Sequence, residues 1–181
     1  MELKEKVLRR LESSRGEYLS GEQLAKDCGV SRNAVWKCVR ALKEDGIQIG
    51  SVRNRGYVLL AESDALTACG VEKFLKHDFS LTVLKSTGST NDEVKALANA
   101  GAPEWTAVLA EEQSAGRGRY RRPFDSPAGS GVYVSILLRP KFSAAETLFI
   151  TACAAVAVCD AIAEVAKKEA AIKWVNDIFL D

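Results

Sequence analysis

The run Gly116-Arg117-Gly118-Arg119-Tyr120-Arg121-Arg122, followed by Pro123, Ser126, Pro127, Gly129, Ser130 and Gly131, limits this chain more than any other stretch. Glycines and prolines at this density interrupt both helical and strand periodicity, so no regular element is predicted across it. Thr106 to Ala110 predicts a strand that runs through Glu111, Glu112, Gln113 and Ser114 into the segment, and Val132 to Leu138 predicts a strand that leaves it. The segment is therefore read as a mobile cationic loop presented by a sheet. Its glycines let backbone N–H groups approach an anion, and its guanidinium forks match carboxylate and phosphate oxygens. A solvated surface loop, or an Arg/Gly segment that grips nucleic acid, would have the same composition, so the neighbouring residues must decide.

With 181 residues, 47% of them hydrophobic, the chain has material for one domain or two small ones. The greasiest stretch, Thr151 to Val165, is broken by Asp160 and Glu164 and falls short of the roughly 18 apolar residues of a membrane span, so no membrane partner is predicted. The amino terminus is charged and periodic, unlike a signal peptide. Cys28, Cys38, Cys69, Cys153 and Cys159 form no CxxC pair, and His77 is the only histidine. That pattern argues against a disulfide framework, a structural metal and Ser–His or Cys–His catalysis. Buried thiols in a reducing compartment are expected, hence a cytoplasmic location. Residues 1–63 hold 12 lysines and arginines against 9 acidic residues, while 64–181 hold 13 against 15. A basic first unit and a slightly acidic second one point to two jobs.

In the first unit, Leu3, Val7, Leu8 and Leu11 predict a helix ending near Ser13 to Gly16. Ser20-Gly21-Glu22-Gln23 predicts a capping box at the start of a second helix, and Cys28-Gly29-Val30 a turn. Ser31 then caps a third helix in which Val35, Cys38, Val39 and Leu42 face inward until Asp45-Gly46. Its outer face carries Arg32, Asn33, Trp36, Lys37 and Arg40. Two short β-like runs, Ile47 to Ser51 and Gly56 to Leu60, join through Val52-Arg53-Asn54-Arg55. Three helices and a basic hairpin describe a winged helix-turn-helix, and the set Ser20, Ser31, Arg32, Asn33, Trp36, Lys37, Arg40, Arg53 and Arg55 is read as its DNA-contacting surface. A three-helix interaction module with a solvating charged face is the other reading of these residues.

Ala61 to Asp64 reads as a linker, followed by a helix through Val71, Phe74 and Leu75 and a strand at Leu81 to Leu84. That strand delivers Ser86-Thr87-Gly88-Ser89-Thr90-Asn91-Asp92-Glu93, where Thr90 with Glu93 predicts a second capping box. The cluster holds more hydroxyls than one cap needs, which leaves some for a ligand. Ser143-Ala144-Ala145-Glu146 predicts another capping box, opening an Ala-rich helix to about Lys168 that packs on a sheet. Ala171 to Val175 predicts a strand, and Asn176-Asp177 reads either as a plain turn or as a phosphate and hard-cation site with Lys173.

Ser89-Thr90-Asn91, Gln113, Ser114-Ala115-Gly116-Arg117-Gly118-Arg119, the strand after Ser126-Pro127, and Lys173-Trp174-Val175-Asn176-Asp177 occur in an order that resembles one family. It is that of the biotin protein ligases with an N-terminal DNA-binding domain, which double as biotin operon repressors. The resemblance covers nearly the whole chain and implies an α+β protein: a winged helix-turn-helix at 1–63, then, at 64–181, part of a mixed-sheet, class II synthetase-like biotin ligase catalytic domain. It implies ATP-dependent formation of biotinyl-5′-adenylate with Mg²⁺, then transfer of biotin to a lysine of a biotin carboxyl carrier protein, and binding of operator DNA by a possible homodimer.

By the same resemblance, Arg119 and Lys173 are the catalytic cations, and Ser89, Thr90, Asn91, Gln113, Gly116, Arg117, Gly118 and Arg119 hold biotin and the adenylate. Arg121, Arg122, Phe124, Asn176 and Asp177 serve ATP, with Asp177 near its metal. Val175 stands where the family usually has proline. Family members continue with a further strand bearing another lysine and a small barrel, so these residues are expected to be the N-terminal portion of such a protein. A transcription regulator that senses a ligand through an inactive ligase-like domain is the alternative. A lipoate-type ligase shares the fold but is disfavoured by the Gly-Arg-Gly-Arg loop and the winged helix.

Overall fold

A computed structural model describes residues 2–118, 122–141 and 147–180. Two compact units divide it, Met1–Leu138 and Arg139–Asp181.

The first unit opens with α1 (Leu3–Glu12), α2 (Gly21–Cys28) and α3 (Arg32–Glu44), followed by the hairpin β1 (Ile49–Val52) and β2 (Gly56–Leu59). The apolar stripes meet as expected: Val7, Leu11, Leu24 and Val35 are fully buried, and Val39, Leu42 and Leu59 nearly so. Ser20 accepts from the Gln23 N–H and Ser31 from the Ala34 N–H, which satisfies donors the first turn leaves unpaired. The predicted reciprocal half of the first box does not form. The Gln23 side chain donates instead to Asp27 one turn on, because Asp27 is charged and Arg10 already holds it in place. At the wing, Asn54 and Gly56 adopt positive φ. A Cβ on Gly56 would lie 2.1 Å from the Leu19 carbonyl oxygen, because Leu19 and Tyr57 exchange backbone hydrogen bonds and add a third short rung to the hairpin.

Beyond the linker, α4 (Ala68–Glu72) is shorter than the predicted helix, and Phe74 stays 77% exposed. Its Cys69 packs into the helical core, so residues 65–72 are tied to the same hydrophobic cluster as α1 and α3. Glu12, buried at the end of α1, gathers the joint. Arg15 and Lys73 bond its carboxylate at 2.7 and 2.6 Å, and Arg15 also donates to the Ser63 carbonyl at 2.8 Å. Asp45, at the end of α3, pairs with Lys4 and, at 3.7 Å, with Lys85 of the next strand.

That strand, β3 (Ser80–Thr87), begins a sheet of order β3-β4-β5 with β4 (Thr106–Gln113) and β5 (Tyr133–Ile136), and α5 (Thr90–Asn99) packs on it. β3 and β4 are parallel and β4 and β5 antiparallel, so the sheet is mixed. The central strand is buried through Thr106 to Ala110, whereas edge residues Val132, Val134 and Ile136 are exposed.

In the second unit, α6 (Thr147–Ala166) packs on the antiparallel hairpin β6 (Ala170–Lys173) and β7 (Asp177–Leu180). The reading that no stretch here suffices for a membrane span needs correction. Leu148–Ala166 is long and apolar enough by length and composition, with a mean hydropathy of 2.0, because Asp160 and Glu164 are diluted over the whole window. Only 6% of that window is buried, with Ala155 covered and Leu148, Phe149, Val156, Val158 and Val165 exposed, so the close packing of the whole helix expected from its alanines is not seen among the described residues. Lys167, with φ 54°, ends the helix. The capping box at Ser143 to Glu146 lies outside the described residues.

Candidate functional site

Parallel pairing of β3 with β4 sets Thr87 beside Gln113 in register. The hydroxyl cluster and the Gly/Arg segment therefore leave the sheet together at the carboxyl ends of its strands, where α/β sheets commonly bind ligands. Backbone bonds hold the two exits side by side: Ser114 N–H donates to the Thr87 carbonyl at 2.9 Å and Ala115 N–H to the Gly88 carbonyl at 2.8 Å.

Gln113 is the pivot. Its Oε1 accepts from the Thr90 N–H at 2.9 Å and from the Thr90 hydroxyl at 3.1 Å, and its Nε2 donates to Ser126 Oγ at 3.1 Å. Thr90 Oγ1 also lies 2.8 Å from Ser135 Oγ on β5. The capping box predicted for Thr90 and Glu93 does not exist. Thr90 is the first helical residue, its N–H is taken by a side chain from another strand, and Glu93 instead accepts from the Thr87 hydroxyl at 2.6 Å. Ser89 occupies the N-cap position yet makes no capping bond. Ser89, which is 4% exposed, lines a cavity of about 600 Å³ with Asn91, Lys95, Arg117 and Gly118.

The described ends of the Gly/Arg segment are more ordered than a structureless loop. Gln113 bridges Ser126 and Arg117 bridges Pro123, with Gly118 N–H to the Arg122 carbonyl and Phe124 N–H to the Gly116 carbonyl, each at 2.9 Å. A Cβ on Gly116 would sit 2.5 Å from the Phe124 carbonyl oxygen and 2.6 Å from Ser126 Oγ, so only glycine lets the two arms close. Arg117 pairs with Asp92 at the positive end of α5. Arg122 is exposed and Phe124 is 57% exposed. Arg119 and Arg121 lie outside the described residues.

Sequence reasoning missed Asp92 as a partner of Arg117, Lys95 in the cavity wall, Ser135, and the role of Ser126, which is 1% exposed. Lys95 was legible in part, since it lies one helical turn after Asn91. The serines carry no local signal, because their partners are distant in sequence.

In the second unit, Lys173 and Asp177 face each other across the hairpin in register. The Lys173 ammonium lies 5.8 Å from the centroid of the Phe179 ring, and Asn176 Nδ2 donates to Asp177 Oδ1 at 2.7 Å. Among the described residues no group of three or more His, Cys, Asp or Glu is placed to hold a metal ion. A magnesium ion that arrives on nucleotide phosphates takes only one or two carboxylates, which the single Asp177 fits.

Between α3 and the wing lies a second cavity, about 690 Å³, lined by Ser20, Arg32, Asn33, Trp36, Arg53 and Arg55 among others. Lys37 and Arg40 are exposed on the same helix. The structure gathers Ser20, Arg32, Asn33, Trp36, Arg53 and Arg55 around that cavity, with Arg40 beside Trp36, while Ser31 and Lys37 are not among its lining residues; the hydroxyls of Ser20 and Ser31 are engaged as caps. Arg55 stacks over Tyr18 at 4.2 Å from its centroid, which braces the wing against the segment before α2.

The chain matches the model of an HTH domain over residues 4–58 and that of the biotin/lipoate A/B protein ligase family over residues 83–181. It is 37% identical to a bifunctional ligase/repressor BirA of Bacillus subtilis over 185 residues, which takes in 99% of this chain and 56% of the relative. Identity with the protein of the same description from Escherichia coli is 30% over 169 residues, or 91% of this chain and 51% of that one. The chain thus spans about half the length of the curated relatives it matches. Among solved structures, a biotin protein ligase of Leishmania major in complex with biotinyl-5-AMP is similar at 28% identity and a TM-score of 0.50, over 57% of this chain and 48% of that one. Since the ligase-family model takes in more than half of the sequence, the chain belongs to the biotin/lipoate A/B protein ligase family.

Proposed function

We propose that residues 64–181 belong to an ATP-dependent biotin protein ligase whose winged helix, residues 1–63, binds operator DNA and represses biotin genes. A carboxylate oxygen of biotin attacks the α-phosphate of ATP and pyrophosphate leaves. The amine of a carrier-protein lysine then attacks the acyl carbon, AMP leaves, and an amide bond remains. Two anions must be brought together and the charge growing on phosphorus offset, which is work for Arg119 and Lys173. Mg²⁺ on the nucleotide, near Asp177, would lend further positive charge to the phosphates.

Ser89, Thr90 and Gln113 meet the polar ring of biotin, with Asn91 beside them. Gly116, Arg117 and Gly118 surround its carboxylate and the adenylate phosphate. Arg121, Arg122, Phe124 and Asn176 serve the nucleotide, with Phe124 against the adenine. The reaction needs no histidine, in keeping with a chain whose only one is His77. The protein acts in the cytoplasm, with a biotin carboxyl carrier protein as acceptor and a homodimer as the DNA-binding form.

The observation that carries this reading is the Gln113 clamp. A strand-end amide fixes the start of α5, where Ser89, which makes no capping bond, and Arg117 line one cavity. Such an arrangement suits a small ligand with a polar head and an anionic tail. Biotin-dependent release of pyrophosphate from ATP is the test, and it is expected to require Gln113. Biotin binding without pyrophosphate at high protein concentration would reduce the reading to ligand sensing.

A further inference from the structure

Trp36 stands in the middle of the cationic face of α3, four residues after Arg32 and four before Arg40, and it is 49% exposed. The adjoining face of the helix buries Val35, Val39 and Leu42. A lone exposed aromatic is ordinary on a protein surface, but this one has a cation beside it. The Arg40 guanidinium lies 5.9 Å from the centroid of the indole, and Arg40 Nε in turn donates to Glu44 Oε1 at 3.0 Å. The indole so placed lines the cavity between α3 and the wing, beside Arg32 and Asn33.

Resting on the reading that this face meets DNA, we propose that Trp36 reads a thymine through its C5 methyl group. The floor of the major groove offers hydrogen-bond donors and acceptors and a single apolar group, the thymine methyl. Arg32 and Asn33 match the polar edges and the phosphates, and Trp36 supplies apolar surface on the same helix wall. Early turns of a recognition helix are the ones that reach base edges, and Trp36 lies in the second turn after the Ser31 cap. A phosphate, being charged, has no use for the face of an indole. Buried against the ring, one methyl group is worth about a fourfold change in affinity.

The test takes the 181-residue chain with biotin and ATP, selects from a pool of random duplexes, and exchanges each thymine of the enriched sequence for deoxyuridine. The two nucleotides differ in their base only at the C5 methyl. The expected result is one thymine, or a symmetry-related pair, whose exchange weakens binding about fourfold in the parent. The same exchange leaves Trp36→Ala unaffected, and that variant melts as the parent does. Indifference to deoxyuridine at every position overturns the assignment, as does an undiminished methyl effect in Trp36→Ala; in both cases DNA binding itself stands. Salt-dependent binding without enrichment overturns it in the same way. Failure to bind any duplex overturns the DNA-binding reading and this inference together.

Discussion

Two kinds of helix start separate the winged helix from the candidate site. At α2 and α3 a serine next to the helix accepts from an N–H three residues on, so each helix closes its own first turn. At α5 the serine in the same position caps nothing, and the first N–H is taken by Gln113, 23 residues away on another strand. A self-capped helix is a finished local unit. A helix capped from afar has handed its first turn to the tertiary fold: the Thr90 hydroxyl meets Gln113 and Ser135, and Ser89 makes no capping bond. The contrast teaches that surplus polar groups at a helix start can be partnered from distant strands, which a local capping rule does not foresee.

The sharpest way to break the self-sufficient region is at Gly56, where the backbone of Leu19 fills the space a side chain would need and φ is +104°. Gly56→Ala is expected to cost about 3 kcal/mol in urea unfolding, from left-handed strain together with the clash. Gln113→Ala strikes the other region. It strands the Thr90 N–H and removes the donor to Ser126, whose hydroxyl keeps the Phe124 carbonyl, and is expected to cost about 2 kcal/mol, while biotin binding by calorimetry falls at least about tenfold. Loss of binding with stability untouched would mean that Gln113 is a ligand contact alone.

The serine pair tests the contrast directly. Ser31→Ala is expected to lose about 1 kcal/mol and leave biotin binding unchanged. Ser89→Ala should change stability by less than about 0.5 kcal/mol and weaken biotin. Equal stability losses would erase the distinction.

The smallest expected effect concerns pH. Burial alone would raise the Glu12 carboxyl, but hydrogen bonds from Arg15 and Lys73 outweigh it and hold it below the ordinary carboxylate value. A depressed folded-state value adds stability that is present above the unfolded-state value and is lost as pH falls through the folded one. Chemical unfolding should therefore show the parent losing stability on acidification faster than Glu12→Gln. Parallel curves would mean that the joint carries no such linkage.

Much of the first sixty residues was legible because their determinants are local. Apolar spacing at Val35, Val39 and Leu42, the serine caps, and Asn54 with Gly56 in the wing all act within a few residues of themselves. The linker joint was not legible: nothing near Cys69 announces that it enters the helical core, and Glu12 is an unremarkable acid until Lys73 arrives from 61 residues on. At the site, Ser89, Thr90, Gln113 and Gly116 could be singled out by type and order. Their connections were misread where a nearby partner, Glu93, was preferred to a distant one.

Taken alone, the sequence determined the three helices and hairpin of the first unit, the serine caps of α2 and α3, and which face of α3 is cationic, since backbone geometry and side-chain periodicity settle those over a few residues. Only the tertiary structure decided that β3 and β4 run parallel in a register that sets Thr87 beside Gln113, and that the Gln113 amide closes α5. The reason is physical. Pairing between distant strands depends on which buried surfaces fit once the chain has collapsed, and no local preference carries that information.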